Sequence, residues 1–328
     1  MHSTKLVGNH STASLPRLRV AIEGCYPAFA QSDLVMRILG VLCQYEIVER
    51  WQTHDLLIRG PFSDGSGKRR LLNKLLHFKK YISPTYSPLS LHVSSENPFC
   101  VNYHSFEESR CDFGLGHELR IGDQSYFRMP HWWNYVDFGS EGIPTPDNWV
   151  RLGKPMLQED LLRPIKWNSE GSRKAVFVTS YLTAERSFLM DSLNRTIPVE
   201  GFGRAFDSSI KNHSRSSFTK RELLSRYQYN LCPENAISPG YVTEKIPEAY
   251  VCGCVPIAYV DPLCSIDFNP NSFINLHDFL VEGISEGVKR LLESHLLRKQ
   301  LIETPLLRER IPLEALISFV RSVISASK

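Results

Sequence analysis

The sequence has no C-x-x-C pair and no two histidines at zinc-finger spacing. Its eight cysteines, Cys25, Cys43, Cys100, Cys111, Cys232, Cys252, Cys254 and Cys264, therefore do not read as a structural zinc site. Several sit inside apolar runs, as thiols buried for their size and hydrophobicity do. No run approaches twenty apolar residues, which excludes a membrane-spanning helix. Residues 1–16 are polar, rich in Ser, Thr and His, and hold no apolar stretch of signal-peptide length. They read as a flexible tail, and the chain as cytoplasmic. Charge of one sign is scarce as well: 38 Lys and Arg against 35 Asp and Glu leave +3. So small an excess does not imply a nucleic-acid partner. There is no internal repeat and no low-complexity tract.

What remains is 328 residues of ordinary globular composition, 42% hydrophobic and 22% charged. That length and composition predict two domains, each with its own core. Strand-like and helix-like segments alternate: strands over 18–23, 56–58, 89–94 and 112–116, and helices over 32–45 and 68–82. A Gly- and Pro-rich stretch over 139–164 marks a border. The alternation then restarts, with strands over 174–179, 198–202, 227–232 and 255–260 and helices over 184–193, 243–252, 284–302 and 313–325. Such alternation predicts parallel sheets in an α/β fold. The domains read as 17–160 and 161–328, with the last helix packing back on the first. The helix over 68–82 carries Lys68, Arg69, Arg70, Lys74, Lys79 and Lys80 and no acid. It reads first as a solvated helix face, with weak peripheral membrane contact as the lesser reading.

The chemistry concentrates in residues 227–262: a strand, a polar loop, a helix, a strand. In open α/β sheets ligands bind beyond the carboxyl ends of strands, where residues 234–240 fall. Pro247 is tolerated only in a first helical turn, so the helix starts near Thr243. Glu244 and Lys245 then lie where free N–H groups favour an anion such as a diphosphate. Glu244 would repel phosphate and suits sugar hydroxyls. A capped helix with surface charges explains the same residues equally well.

The string YQYNLCPEN, followed by GYVTEKIPEAY and VPI, resembles the donor signature of the α1,3-fucosyltransferases, glycosyltransferase family ten. In that signature an aromatic-rich strand precedes Phe-Glu-Asn, Tyr-Val-Thr-Glu-Lys and a Val-Pro or Ile-Pro strand. The bacterial Lewis-antigen-type enzymes are the most similar branch. The resemblance extends to SSEN at 94–97, SYFRMP at 125–130 and DFNPNSFINLHDF at 267–279. It implies a GT-B arrangement, two Rossmann-like α/β domains facing a cleft, the first for acceptor and the second for GDP-fucose.

It further implies inverting transfer of L-fucose from GDP-β-L-fucose to a hydroxyl, O3 by expectation, of N-acetylglucosamine in an oligosaccharide, glycolipid or lipopolysaccharide. Glu96 would be the catalytic base. Arg186 and Lys245 would meet the departing diphosphate, Glu244 the ribose, and Asn235, Tyr241 and Glu234 the phosphate or fucose. No Asp-x-Asp metal motif is present, so side-chain cations are expected to replace a metal, and no cofactor is expected. Trp132 and Trp133 read as core before they read as an acceptor wall. Pro233 stands where relatives carry Phe, and Val260 where many have a Gly-x-Pro turn, which touches donor fit. Two alternatives stay open: a GT-B transferase using another sugar nucleotide, and a catalytically silent glycan- or nucleotide-binding relative.

Overall fold

The computed structural model describes residues 15–62, 88–100, 103–145, 152–207 and 219–327. The basic helix expected over 68–82, and most of the N-terminal tail, lie outside the described residues. The chain divides into two compact units. One comprises Met1–Asn134, Phe138–Pro146 and Pro312–Lys328, the other Tyr135–Asp137 and Asp147–Ile311.

The first unit is built on six strands: β1 (Arg17–Glu23), β2 (Gln44–Val48), β3 (Leu56–Arg59), β4 (Leu89–Ser94), β5 (Phe113–Gly116) and β6 (Tyr126–Arg128). They lie in the order β2-β1-β3-β4-β5-β6, every neighbouring pair parallel. Val20 faces Leu56 across the β1–β3 ladder, and Ile58 faces Leu91 across β3–β4. All four are buried, each worth about 1.5–3 kcal/mol against exposure. The expected helix over 32–45 is shorter. It runs Leu34–Leu42 and is capped by Asp33, whose carboxylate accepts the Val35 N–H. Cys43 is extended, and Gln44–Val48 becomes an edge strand instead of the last helical turn. The alternation Gln-Tyr-Glu-Ile-Val fits an edge strand with one solvated face. Trp132 and Trp133 are buried and meet edge-on at 6.2 Å, which makes them core. The helix Leu313–Ala326 packs on the helix Leu34–Leu42 and on β4. Its Phe319 ring lies 5.9 Å from Phe113 and 5.7 Å from Phe127.

The second unit holds a short pair, β7 (Val136–Asp137) with β8 (Met156–Leu157), and a five-stranded parallel sheet. The strands are β9 (Ser172–Val178), β10 (Val199–Phe202), β11 (Tyr227–Leu231), β12 (Val255–Ala258) and β13 (Ile274–Asn275), in the order β10-β9-β11-β12-β13. Alternate residues Ala175, Phe177, Tyr229, Leu231, Val255 and Ile257 join one core with residues of the helices Ala184–Asn194, Ile284–Glu293 and His295–Glu303. The single helix expected over 284–302 is two helices. Ser294 ends the first and caps the second by accepting the Leu297 N–H. Between β11 and β12 runs the helix Lys245–Val251, closed by Gly253 at φ 83°. A Cβ there would come within 2.6 Å of the Lys166 carbonyl oxygen, so only glycine fits.

Candidate active site

The strand order of the second unit reverses between β9 and β11, and at such a switch point the loops leaving the two strands diverge and open a crevice. A cavity of about 790 Å³ lies there. Its walls come from Thr179, Tyr181 and Arg186 beyond β9, Glu200 and Phe202 on β10, and Cys232, Pro233 and Asn235 beyond β11. Glu244 and Lys245 line it from the start of the next helix.

Arg186 owes its place to a helix start. Thr183 caps the helix Ala184–Asn194 by accepting the Arg186 N–H at 3.2 Å. The guanidinium is then fixed from three sides. Its Nη1 donates to Thr179 Oγ1 and to the Tyr181 carbonyl, both at 3.1 Å, and its Nη2 donates to Asn235 Oδ1 at 2.7 Å. Burial draws its pKa below the ordinary arginine value, and the Glu234 carboxylate opposes that shift. One oxygen of Asn235 is thus committed to Arg186, and its amide nitrogen remains for a ligand.

Lys245 is fixed by a different set. Its Nζ donates to Glu234 Oε2 at 2.6 Å and to Thr243 Oγ1 at 2.9 Å. Glu234 Oε1 also accepts the Thr243 N–H at 2.8 Å. The helix begins at Lys245, two residues later than the expected start at Thr243, whose amide serves the loop. Glu234 and Tyr241 are both about 2% exposed and neither lines the cavity. Four of the expected donor residues, Arg186, Asn235, Glu244 and Lys245, do line it. Glu96 belongs to the other unit. It is half-buried in a bend just past β4.

The two departures from the family pattern are accommodated. Cys232 and Glu234 donate their N–H groups to the Ile257 and Tyr259 carbonyls, continuing the β11–β12 ladder. Successive N–H groups of a strand face opposite sides, so the N–H that Pro233 lacks would have pointed away from β12. Val260 is fully buried and is pinned by Asn275, whose Nδ2 donates to the Val260 carbonyl at 3.0 Å. Cys232 also lines the cavity. Burial pushes its thiol up to about 12, helped by the Glu234 carboxylate, so it is no thiolate nucleophile.

Several cavity residues were not singled out in the sequence: Glu200, Lys220, Arg226, Tyr227 and Asn230. Asn230 had a signal: with Gln228 it is one of two polar residues alternating with apolar ones in β11. Its Nδ2 donates to the Val176 carbonyl at 2.7 Å. Lys220 pairs with Glu248, itself 1% exposed. Among the described residues no group of three His, Cys, Asp or Glu could hold a metal, and no helix is long and apolar enough to cross a membrane.

Comparison with known proteins meets the same region. Residues 169–296 match the family model described as glycosyltransferase family 10 (fucosyltransferase) C-term. The alpha-(1,3)-fucosyltransferase FucT of Helicobacter pylori is 43% identical over 187 residues, 51% of this chain and 38% of that protein. A putative fucosyltransferase-like protein of Arabidopsis thaliana is 27% identical over 136 residues, 40% of this chain and 25% of that protein. The chain therefore spans well under half the length of these curated relatives. A crystal structure of an α1,3-fucosyltransferase matches with a TM-score of 0.67 at 25% identity, covering 97% of this chain and 93% of the other. A structure of an α1,3-fucosyltransferase with GDP-fucose matches with a TM-score of 0.65 at 24% identity, over the same shares of the two chains. The fold is that of the α1,3-fucosyltransferase structures, and residues 169–296 are similar to the C-terminal domain of glycosyltransferase family 10, the fucosyltransferases.

Proposed function

We propose that this chain is an inverting α1,3-fucosyltransferase that moves L-fucose from GDP-β-L-fucose to O3 of an N-acetylglucosamine unit in an oligosaccharide or glycolipid. The observation that carries the reading is the pair of fixed cations, Arg186 and Lys245, on the wall of the cavity inside the family 10 domain.

In the reaction the acceptor hydroxyl gives its proton to the Glu96 carboxylate as its oxygen bonds to the anomeric carbon of fucose. The bond from that carbon to the β-phosphate oxygen breaks on the opposite face, and its electron pair leaves with GDP. Arg186 and Lys245 offset the charge that gathers on the diphosphate, the work a divalent metal does elsewhere. Their hydrogen bonds to Thr179, Asn235, Thr243 and Glu234 hold them in place before the donor arrives. Glu244 serves the ribose hydroxyls, Asn235 offers its amide nitrogen to phosphate or fucose, and Tyr241 supports the loop from within.

The test is a transfer assay in excess EDTA. GDP-fucose, GDP-mannose and UDP-sugars are offered with a panel of N-acetyllactosamine acceptors, and linkage is read by NMR. The expected product is α1,3-fucosylated and forms from GDP-fucose without added metal. Turnover with another sugar nucleotide alone would overturn the donor assignment. A strict need for a divalent ion would overturn the role given to the two cations.

A further inference from the structure

Glu234 is a carboxylate almost out of reach of solvent, 2% exposed, in the loop that forms one wall of the cavity. A buried carboxylate is costly unless its oxygens are satisfied and its charge is met. Here both conditions hold. Oε1 accepts the Thr243 backbone N–H at 2.8 Å, and the Thr243 hydroxyl lies within hydrogen-bond reach of both oxygens, at 2.9 and 2.8 Å. Oε2 accepts from Lys245 Nζ at 2.6 Å, and the same ammonium donates to the Thr243 hydroxyl at 2.9 Å. The three side chains close a triangle. It takes two of the three ammonium donors and leaves one, on a residue that lines the cavity while Glu234 does not.

From this triangle we propose that Glu234 is a positioning residue for Lys245 and makes no contact with the donor. A lysine stem is long and flexible, and an unheld ammonium would lose that freedom each time a diphosphate bound. The Glu234–Thr243 clamp removes the freedom in advance, so the remaining donor is presented at a fixed point. Because Lys245 and Thr243 neutralise and cover it, the Glu234 carboxylate sits beside an anion site without repelling its guest. The inference rests on the donor site proposed above, and it assigns Glu234 a role distinct from the direct donor contact expected of it.

The test is a cycle of variants read by calorimetry with GDP and with inorganic pyrophosphate, and by kcat and KM for donor and acceptor separately. Glu234→Gln is expected to weaken both ligands and the donor KM roughly tenfold, with acceptor KM unchanged. In the Glu234→Gln background, adding Lys245→Met is expected to cost less than about threefold more, because the lysine is no longer held. That double variant buries no lone charge, so it keeps the test open even where Lys245→Met alone does not fold. Thr243→Val should reproduce the Glu234→Gln pattern. A further loss of about tenfold or more on adding Lys245→Met to Glu234→Gln would overturn the proposal, since the two residues would then act separately. Unchanged GDP and pyrophosphate affinity in Glu234→Gln would overturn it too. Wild-type protein that binds pyrophosphate but not GDP would instead defeat the sugar-nucleotide reading, and the cycle would still be decided on pyrophosphate. Wild-type protein that binds neither would defeat both.

Discussion

The loops that follow β4 and β11 leave equivalent ends of two parallel sheets, yet they treat their glutamates in opposite ways. Past β11, Glu234 is enclosed and every oxygen is bonded to its own loop or to Lys245. Past β4, Glu96 is half-buried and has no hydrogen bond or ion pair among the described residues. Its neighbour Asn97 does the local work by accepting the Phe99 N–H at 2.8 Å. A carboxylate meant to take a proton must keep its lone pairs available. One meant to hold a cation must spend them. On the proposed reading the same residue type after the same kind of strand serves either end, and the neighbouring donors decide which.

The sharpest break of this contrast is at Glu96. Glu96→Gln is expected to lower kcat by about 10²–10⁴ with melting temperature and GDP affinity unchanged. Near-normal turnover would remove the base from β4. Next comes the buried ion pair of Lys220, a cavity-lining residue, with Glu248. Lys220→Met leaves Glu248 buried beside an uncharged neighbour, which should cost about 3–5 kcal/mol in urea unfolding. Arg186→Ala removes a charged donor from the cavity wall and should weaken GDP by about 1.5–3 kcal/mol in calorimetry.

A pH effect separates the units further. His92 and His117 are buried in the first unit, and burial pushes each pKa down to about 4, with Glu118 opposing. Both are neutral in the fold, and the unfolded chain takes up their protons below about 6.5. Their contribution is therefore fully present above pH 6.5 and is lost as the pH falls towards 4. Thermal melts across that window should show the first unit loosening before the donor cavity does, read as a falling transition with GDP affinity retained. The smallest effect is expected at Pro233→Ala. The N–H it restores faces away from β12, so stability should change by less than about 1 kcal/mol.

The strands β1, β3, β4 and β5 of the first sheet and β9 to β12 of the second were legible because their apolar runs are short and bounded by turn residues; β6 and β13, of three and two residues, are too short to show a pattern. Gln44–Val48 was not, since helical spacing carries on to Tyr45 and an edge strand keeps polar residues. Ser294 looked like one polar position in a long helix, although a serine at that point can cap the next one. At the site, the cations and Glu244 were legible from their place beside a helix start. The enclosure of Glu234 was not, because it depends on Thr243 and Lys245, which only the fold brings against it.

The helix Leu313–Ala326 belongs to the first unit, though the whole second unit precedes it in the chain. A chain made from its amino end therefore completes the second sheet while the first still lacks the helix that covers Phe113, Phe127 and one side of β4. During synthesis the second unit can be finished before the sheet that carries Glu96. A chain ended before residue 313 is therefore expected to keep the second sheet while leaving Phe113, Phe127 and one side of β4 bare.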